Sequence, residues 1–251
     1  MIFHIARREF LHYLRSPGAY FVGAGLLFIG GVFFSLVIDS YTRFAAQGAM
    51  YGQDPLSISQ GIIEPLASTL GLLLVLFLPT LTMRALAEEQ KSGSMALLLS
   101  APISSTEVVL GKWLGLMSYL GCLLGLGMAY VPAMLFVFGD PPLAPLLSAY
   151  LGVALLCAVG AAVGIMTSSL TSNQVVAAVS SWTLLLGLWI LSFLESLDGW
   201  MGSLGTHIGL IVHYESFSQG LVRSNDLAYF AVVTAICLFV AQQRVESQRW
   251  R

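Results

Sequence analysis

The stretch RALAEEQKSGSMALLLSAPISSTEVVLGK, residues 84–112, lies between two long apolar runs and holds six of the chain's 24 charges: Arg84, Glu88, Glu89, Lys91, Glu107 and Lys112. Residues 84–91 are good helix formers and extend the preceding apolar run as a stalk. Ser92-Gly93 breaks that helix. Ser94 can cap a short helix carrying Leu97, Leu98, Leu99 and Ser100, which Pro102 stops. Ser104-x-x-Glu107 is a capping box that opens the next long helix through Gly111-Lys112-Trp113. Three consecutive leucines in water are costly, so a membrane surface or a protein groove must cover them. The pattern describes a docking loop hung between two membrane spans.

Composition supports the spans. Hydrophobic residues make up 57% of the chain, charged residues 10%, and the mean hydropathy is +0.84. Apolar runs of about 20 residues recur, each long enough to cross a hydrocarbon core of roughly 30 Å. The fold class expected is all-α: a polytopic membrane protein with six transmembrane helices at residues 17–38, 62–86, 107–138, 146–167, 174–194 and 227–242, forming one membrane domain over 1–251. Pro79 and Pro132 fall inside the second and third spans, where neighbouring helices can satisfy the freed carbonyls. Gly139-Asp140-Pro141-Pro142 reads as a tight turn that makes spans three and four antiparallel neighbours. The first run, 22 residues, is too long for the hydrophobic region of a cleavable leader and reads as a span.

Lysine and arginine set the orientation. Arg7, Arg8, Arg15, Arg84, Lys91, Lys112, Arg244, Arg249 and Arg251 fall on one side, against Arg43 and Arg223 on the other. The positive-inside rule makes both termini and the loop at 88–104 cytoplasmic. The opposite side is acidic, with Asp39, Asp54, Glu64, Asp140, Glu195, Asp198, Glu215 and Asp226.

Two segments stand outside the spans. Residues 1–15 read as an interfacial amphipathic helix, with Ile2, Phe3, Ala6, Phe10, Tyr13 and Leu14 on one face and His4, Arg8, His12 and Arg15 on the other. A membrane anchor and a partner-binding elbow suit that pattern equally. Residues 196–225 are too polar and glycine-broken to cross a bilayer. They read as one or two short outer-face helices, a lid or a plug, with aromatic residues at interfacial depth.

Several chemistries are excluded by pattern. No G-x-x-x-x-G-K-[ST] is present: Gly111-Lys112 leads into Trp113, with no glycine at the required spacing, so a phosphate-cradling loop does not form. ATP and magnesium, if used, belong to another chain. No G-x-S-x-G elbow or H-E-x-x-H occurs, and His207 and His213 are six apart, the wrong spacing for paired ligands on a helix. Catalytic, cofactor and metal residues are therefore not expected on this chain. Cys122, Cys157 and Cys237 fall in apolar runs and read as small hydrophobes. Glu64 (just before Pro65), Glu195 and Asp198 are candidates for an outer mouth, although helix-terminal roles explain each as well. A net charge of −2 without a basic patch away from the spans argues against nucleic acid.

The segment from Phe77 through Trp113 resembles the region between the second and third spans of type-2 ATP-binding-cassette (ABC-2) permeases. It is most similar to the branch associated with gliding motility and nitrous-oxide reductase maturation. The resemblance rests on Pro79, Thr82-Met83-Arg84, Glu88-Glu89, Gly93, Leu97-Leu98-Leu99, Pro102 and Gly111-Lys112, and on SSLTSNQVVAA (168–178) and HYESFSQGLVRSNDLAYF (213–230). One departure is Ala96, where the family usually has an acidic residue that touches the ATPase. The resemblance implies that residues 94–101 are a coupling helix seated in a separate ATPase subunit. Leu97, Leu98 and Leu99 would be its knob and Glu88, Glu89 and Lys91 its rim. It also implies a homodimer of permeases on two ATPases in a bacterial inner membrane, an exporter or force-transmitting machine, and room for a periplasmic or membrane accessory subunit. A non-transporting membrane scaffold is the alternative class, and an intramembrane enzyme a third.

Overall fold

The computed structural model describes residues 1–50, 57–93, 103–128 and 142–248, and among these every regular element is helical. An all-α bundle with six helices long and apolar enough to cross a membrane is what the sequence led us to expect. In chain order the helices are α1 (Ile2–Arg15), α2 (Pro17–Met50), α3 (Glu64–Thr82, entered through a π-helical turn Ser59–Ile63), α4 (Ala87–Ser92), α5 (Ser105–Met128), α6 (Leu143–Leu170), α7 (Gln174–Leu191), α8 (Trp200–Ile208), α9 (Leu210–Ser218) and α10 (Ser224–Gln248). Pro132 and the Gly139–Pro141 part of the expected turn lie outside the described residues.

α6 is the axis of the bundle, packed against α3, α5, α7, α9 and α10. Its sequence shows no apolar stripe because almost every side faces protein. Leu156, Cys157, Val159, Ala161, Ala162 and Ile165 are all at most 1% exposed. Small residues set the spacing. Gly160 sits against Leu78 and Gly164 against Thr82, so close that a methyl group at either position would overlap the α3 side chain. The Thr82 hydroxyl is satisfied within α3 by the Leu78 and Pro79 carbonyls, at 3.0 and 3.3 Å.

The bundle's outside is apolar: Phe21, Phe28, Val175, Ile190 and Phe239 are each more than half exposed. That inversion suits a lipid solvent. α2, with 34 residues, is about 51 Å long, so it overshoots a bilayer of roughly 30 Å. Its far end, where Asp39 pairs with Arg43 at 2.9 Å, carries the excess.

At the end opposite the termini, α9 dives into the bundle. Leu210 and Phe217 are fully buried, and the Tyr214 ring lies against Gly71 of α3 and Gly152 of α6 while its hydroxyl donates to Ala67 O at 2.6 Å. α9 is thus a plug in the core. α8 stays exposed, and both short helices bond to α10: Tyr229 Oη donates to Ile208 O of α8 at 2.7 Å, and His213 Nδ1 of α9 meets Asp226 Oδ1 at 2.7 Å. Of the cysteines, Cys157 and Cys237 are buried, whereas Cys122 is exposed on the bundle surface.

Candidate functional site

The basic end of the bundle collects α1, the α3–α4 turn, the start of α5 and the last turns of α6 and α10. Ser104 and Glu107 form the reciprocal box that the sequence shows: Ser104 N–H donates to Glu107 Oε2 at 3.1 Å, and Glu107 N–H donates to Ser104 Oγ at 3.2 Å. The amino terminus adds an ion pair to Glu107 Oε1 at 3.6 Å. Ser105 Oγ donates to Glu246 Oε2 at 2.6 Å and ties α5 to the end of α10.

Glycines on α5 seat α1. A Cβ at Gly111 would lie 2.7 Å from Ile5 Cβ, and one at Gly115 would lie 2.6 Å from Glu9 Cβ and 2.8 Å from Ala6 O. The two helices therefore meet almost backbone to backbone. The buried seam of α1 is Ile5, Ala6, Glu9 and Tyr13, while Phe3 is 83% exposed. The apolar face expected from helical spacing is thus turned by about one position, because the glycine groove accepts Ile5 and Glu9. His4, Arg8, His12 and Arg15 remain exposed, as their spacing indicates. Tyr13 stacks on Tyr119 at 5.4 Å, and Tyr119 Oη donates to Ala19 O at 2.8 Å.

That seating brings a carboxylate to Lys112, which is 3% exposed. Lys112 Nζ donates to Glu9 Oε1 at 3.0 Å and to Glu89 Oε1 at 2.8 Å. Arg8 Nη2 reaches the same two oxygens at 3.0 and 3.6 Å. Two cations and two carboxylates from α1, α4 and α5 balance one another. Burial alone would raise the Glu9 carboxyl, but Lys112 and Arg8 outweigh it and hold Glu9 below the usual carboxylate range. Burial, reinforced by Glu9 and Glu89, pushes the Tyr13 phenol upward and keeps it neutral.

The stalk is not one continuous helix. α3 ends at Thr82, the chain turns through Met83–Leu86, and α4 restarts at Ala87. The cause is a hydroxyl from α6. The Leu86 and Ala87 N–H groups donate to Ser168 Oγ at 3.0 and 2.9 Å, and Ser168 Oγ donates to Met83 O at 3.1 Å. Ser168 caps α4 from another helix and satisfies donors of two residues with no exposed surface. Gln90 Nε2 adds a bond to Ser169 O at 2.9 Å. Gly93 then ends α4 in the left-handed region, φ 72°, where a glycine is favoured.

Of the residues singled out from sequence, Glu88, Lys91 and Gly93 are exposed on α4 and its end, and Arg84 is exposed on the turn. Glu89 faces inward, in the network with Lys112. Ser94, Leu97, Leu98, Leu99, Ser100 and Pro102 lie outside the described residues. Glu64 stands in the first turn of α3 beside Pro65, and Glu195 and Asp198 are exposed after α7; all three belong to the opposite end and do not join this cluster. Glu9 was not singled out from the sequence, and Lys112 and Ser168 were read only within their motifs, without the contacts they make here. Glu9 left a signal: it is the lone acid of the first fifteen residues, spaced at i+4 from Ile5 and i−4 from Tyr13. Among the described residues no cluster of three or more His, Cys, Asp or Glu side chains is placed to hold a metal.

The arrangement is a joint that ties α4 to α1 and α5 through shared carboxylate–ammonium bonds and to α6 through Ser168. A family model described as "ABC-2 family transporter protein" matches residues 4–207, which takes in α1, the joint and the first five spans. No curated protein matches the chain.

Proposed function

This chain belongs to the ABC-2 family of transporter proteins, a multi-pass permease component, and on that premise we propose that it couples a separate ATPase subunit to export or force transmission. ATP and magnesium sit on that partner, since this sequence carries no phosphate-binding loop. The 94–101 segment is the coupling helix, with Leu97–Leu99 in the ATPase groove and exposed Glu88 and Lys91 on its rim. Both termini and the joint face the cytoplasm of a bacterial inner membrane, as the lysine and arginine bias requires. Two copies pair, each on its own ATPase, and the three sequence stretches noted above favour the gliding-motility and nitrous-oxide-maturation branch, with room for an accessory subunit.

The observation that carries this reading is the joint itself. Glu89, one residue removed from the exposed rim of α4, is bonded to Lys112 at 2.8 Å, and α4 is capped by Ser168 of the central helix. A displacement of α4 is therefore passed to α1 and α5 through Lys112 and to α6 through Ser168. Co-expression with an ATPase of the cassette type tests it: a complex is expected whose ATP turnover changes when this chain is present. A stable complex with unaltered turnover would identify a scaffold.

A further inference from the structure

At the end opposite the termini, His213 ties the corner between α8 and α9 to the start of α10. Its Nδ1 lies 2.7 Å from Asp226 Oδ1, and its Nε2 lies 3.3 Å from His207 O in the last turn of α8. A carbonyl oxygen only accepts, and so does an ionised carboxylate. Both contacts are hydrogen bonds when two N–H groups face them, as in an imidazolium beside a carboxylate. A neutral ring beside a protonated Asp226 makes the same two bonds and carries the same single proton. A charged ring suits the surroundings: the Tyr229 ring stacks on His213 with centroids 4.1 Å apart, the placement of a cation on an aromatic face. Asp226 lies in the first turn of α10, where a helix stabilises negative charge. Asp226 Oδ2 is buried with no hydrogen-bond partner among the described residues, and the imidazolium is the cation there that offsets its charge. Of the other ionisable side chains at this end, Asp39 and Arg43 pair with each other, and Glu64, Glu195, Asp198, Glu215 and Arg223 form no ion pair among the described residues. His207 turns its own ring to Ser203 O, at 2.7 Å.

We propose that His213 and Asp226 are a proton-dependent latch on the α9 plug. With its proton, the pair fastens the α8–α9 corner to α10. Loss of the proton leaves the ring one N–H for two acceptors. The anionic Asp226 keeps that hydrogen, the bond to His207 O is lost, and Asp226 loses its counter-charge. The contribution is therefore complete at low pH and is lost as pH rises through the range in which histidine changes charge. Tyr229 Oη on Ile208 O, at 2.7 Å, is a second strap on the same corner, and a phenol does not change charge in that range. Tyr214, next in sequence to His213, fills the core against Gly71 and Gly152, so the latch acts beside the residue that seats the plug. The compartment whose pH is sensed rests on the orientation proposed above; the latch itself does not.

The test is hydrogen–deuterium exchange of the full-length chain in lipid nanodiscs, followed over residues 207–214 from about pH 5 to about pH 8. The readout is protection relative to intrinsic exchange at each pH. Wild-type protection should fall on the order of tenfold across that span, as the loss of a hydrogen bond to a charged group implies. His213→Gln has no proton to lose there and should give a flat profile. Asp226→Asn should also be flat but remain protected at the upper pH, because its amide donates to Nδ1 while Nε2–H serves His207 O. His207→Gln changes a ring outside the latch and should keep the wild-type profile. Wild-type protection that is flat, or that rises with pH, overturns the proposal. So does a fall that persists in His213→Gln or Asp226→Asn, or one that vanishes in His207→Gln.

Discussion

Replacing Lys112 with methionine keeps the length of the side chain and deletes the one ammonium that Glu9 and Glu89 share. Arg8 still reaches both carboxylates, at 3.0 and 3.6 Å, and the Arg8 side chain is 56% exposed. Solvent screens that remaining attraction. Breaking a buried pair by removing one partner costs about 3–5 kcal/mol. The lower figure applies here because Arg8 persists, and about 3 kcal/mol is roughly a hundredfold in the docking equilibrium of α1. Undocking is visible because 14 residues are too few for a stable isolated helix. Amide exchange over residues 2–15 should therefore accelerate by about two orders of magnitude in Lys112→Met, with Lys112→Arg much closer to wild type. Adding Glu9→Gln and Glu89→Gln to Lys112→Met should restore much of the protection, since no unpaired charge is then buried. Unchanged α1 exchange in Lys112→Met would refute the joint.

Three further outcomes follow from the same geometry. Ser168→Ala leaves the buried Leu86 and Ala87 N–H groups without their acceptor, at about 1–3 kcal/mol for an unsatisfied buried group; a lowered Tm and faster exchange at those two amides are expected, and neither should occur if Ser168 is incidental. Because the Glu9 carboxyl is held below its ordinary value of 4.5, its contribution to α1 docking is complete above that pH and is lost as pH falls through the lowered value; the protection of α1 amides relative to their intrinsic exchange at each pH should drop below pH 4.5, and should drop less in Glu9→Gln. Gly164→Val forces a branched side chain into Thr82 and should lower Tm by an overpacking cost of about 1–3 kcal/mol or more, whereas Gly31→Ala, with nothing within 4 Å of the added methyl, should leave it unchanged.

What the sequence made legible was what depends on local pattern. Six apolar runs, the Ser104–Glu107 box, the break at Gly93 and the polar stripe of α1 are each set by residues a few positions apart, and each is present. The buried seam of α1 was harder to read, because Gly111 and Gly115, a hundred residues away, decide which α1 side chains go inside. The stalk shows the same limit. Residues 84–91 favour a helix on propensity alone, yet a hydroxyl from Ser168 takes two of their N–H groups and imposes a turn. Tertiary hydrogen bonding outweighed propensities of a few tenths of a kcal/mol per residue. Lys112 stood out as a loop charge, as part of the Gly111-Lys112 motif and as a false start to a phosphate loop; its place where three helices meet depends on Glu9, which no local window places beside it. The depth of α9 was hidden likewise, since Tyr214 and Phe217 enter the core where Gly71 and Gly152 leave room.

The central claim is that the 94–101 segment seats this permease on an ATPase, and the Leu98→Asp variant tests it most directly. Tagged wild-type and Leu98→Asp chains, co-expressed with the ATPase and purified side by side, should differ. The wild type is expected to bring the ATPase with it and alter its ATP turnover. Leu98→Asp, burying a carboxylate in an apolar groove, should lose the partner while remaining folded in the membrane. If Leu98→Asp retains the ATPase in full and its turnover still responds to the permease, the segment is not the docking helix and the account of how this protein is driven is wrong.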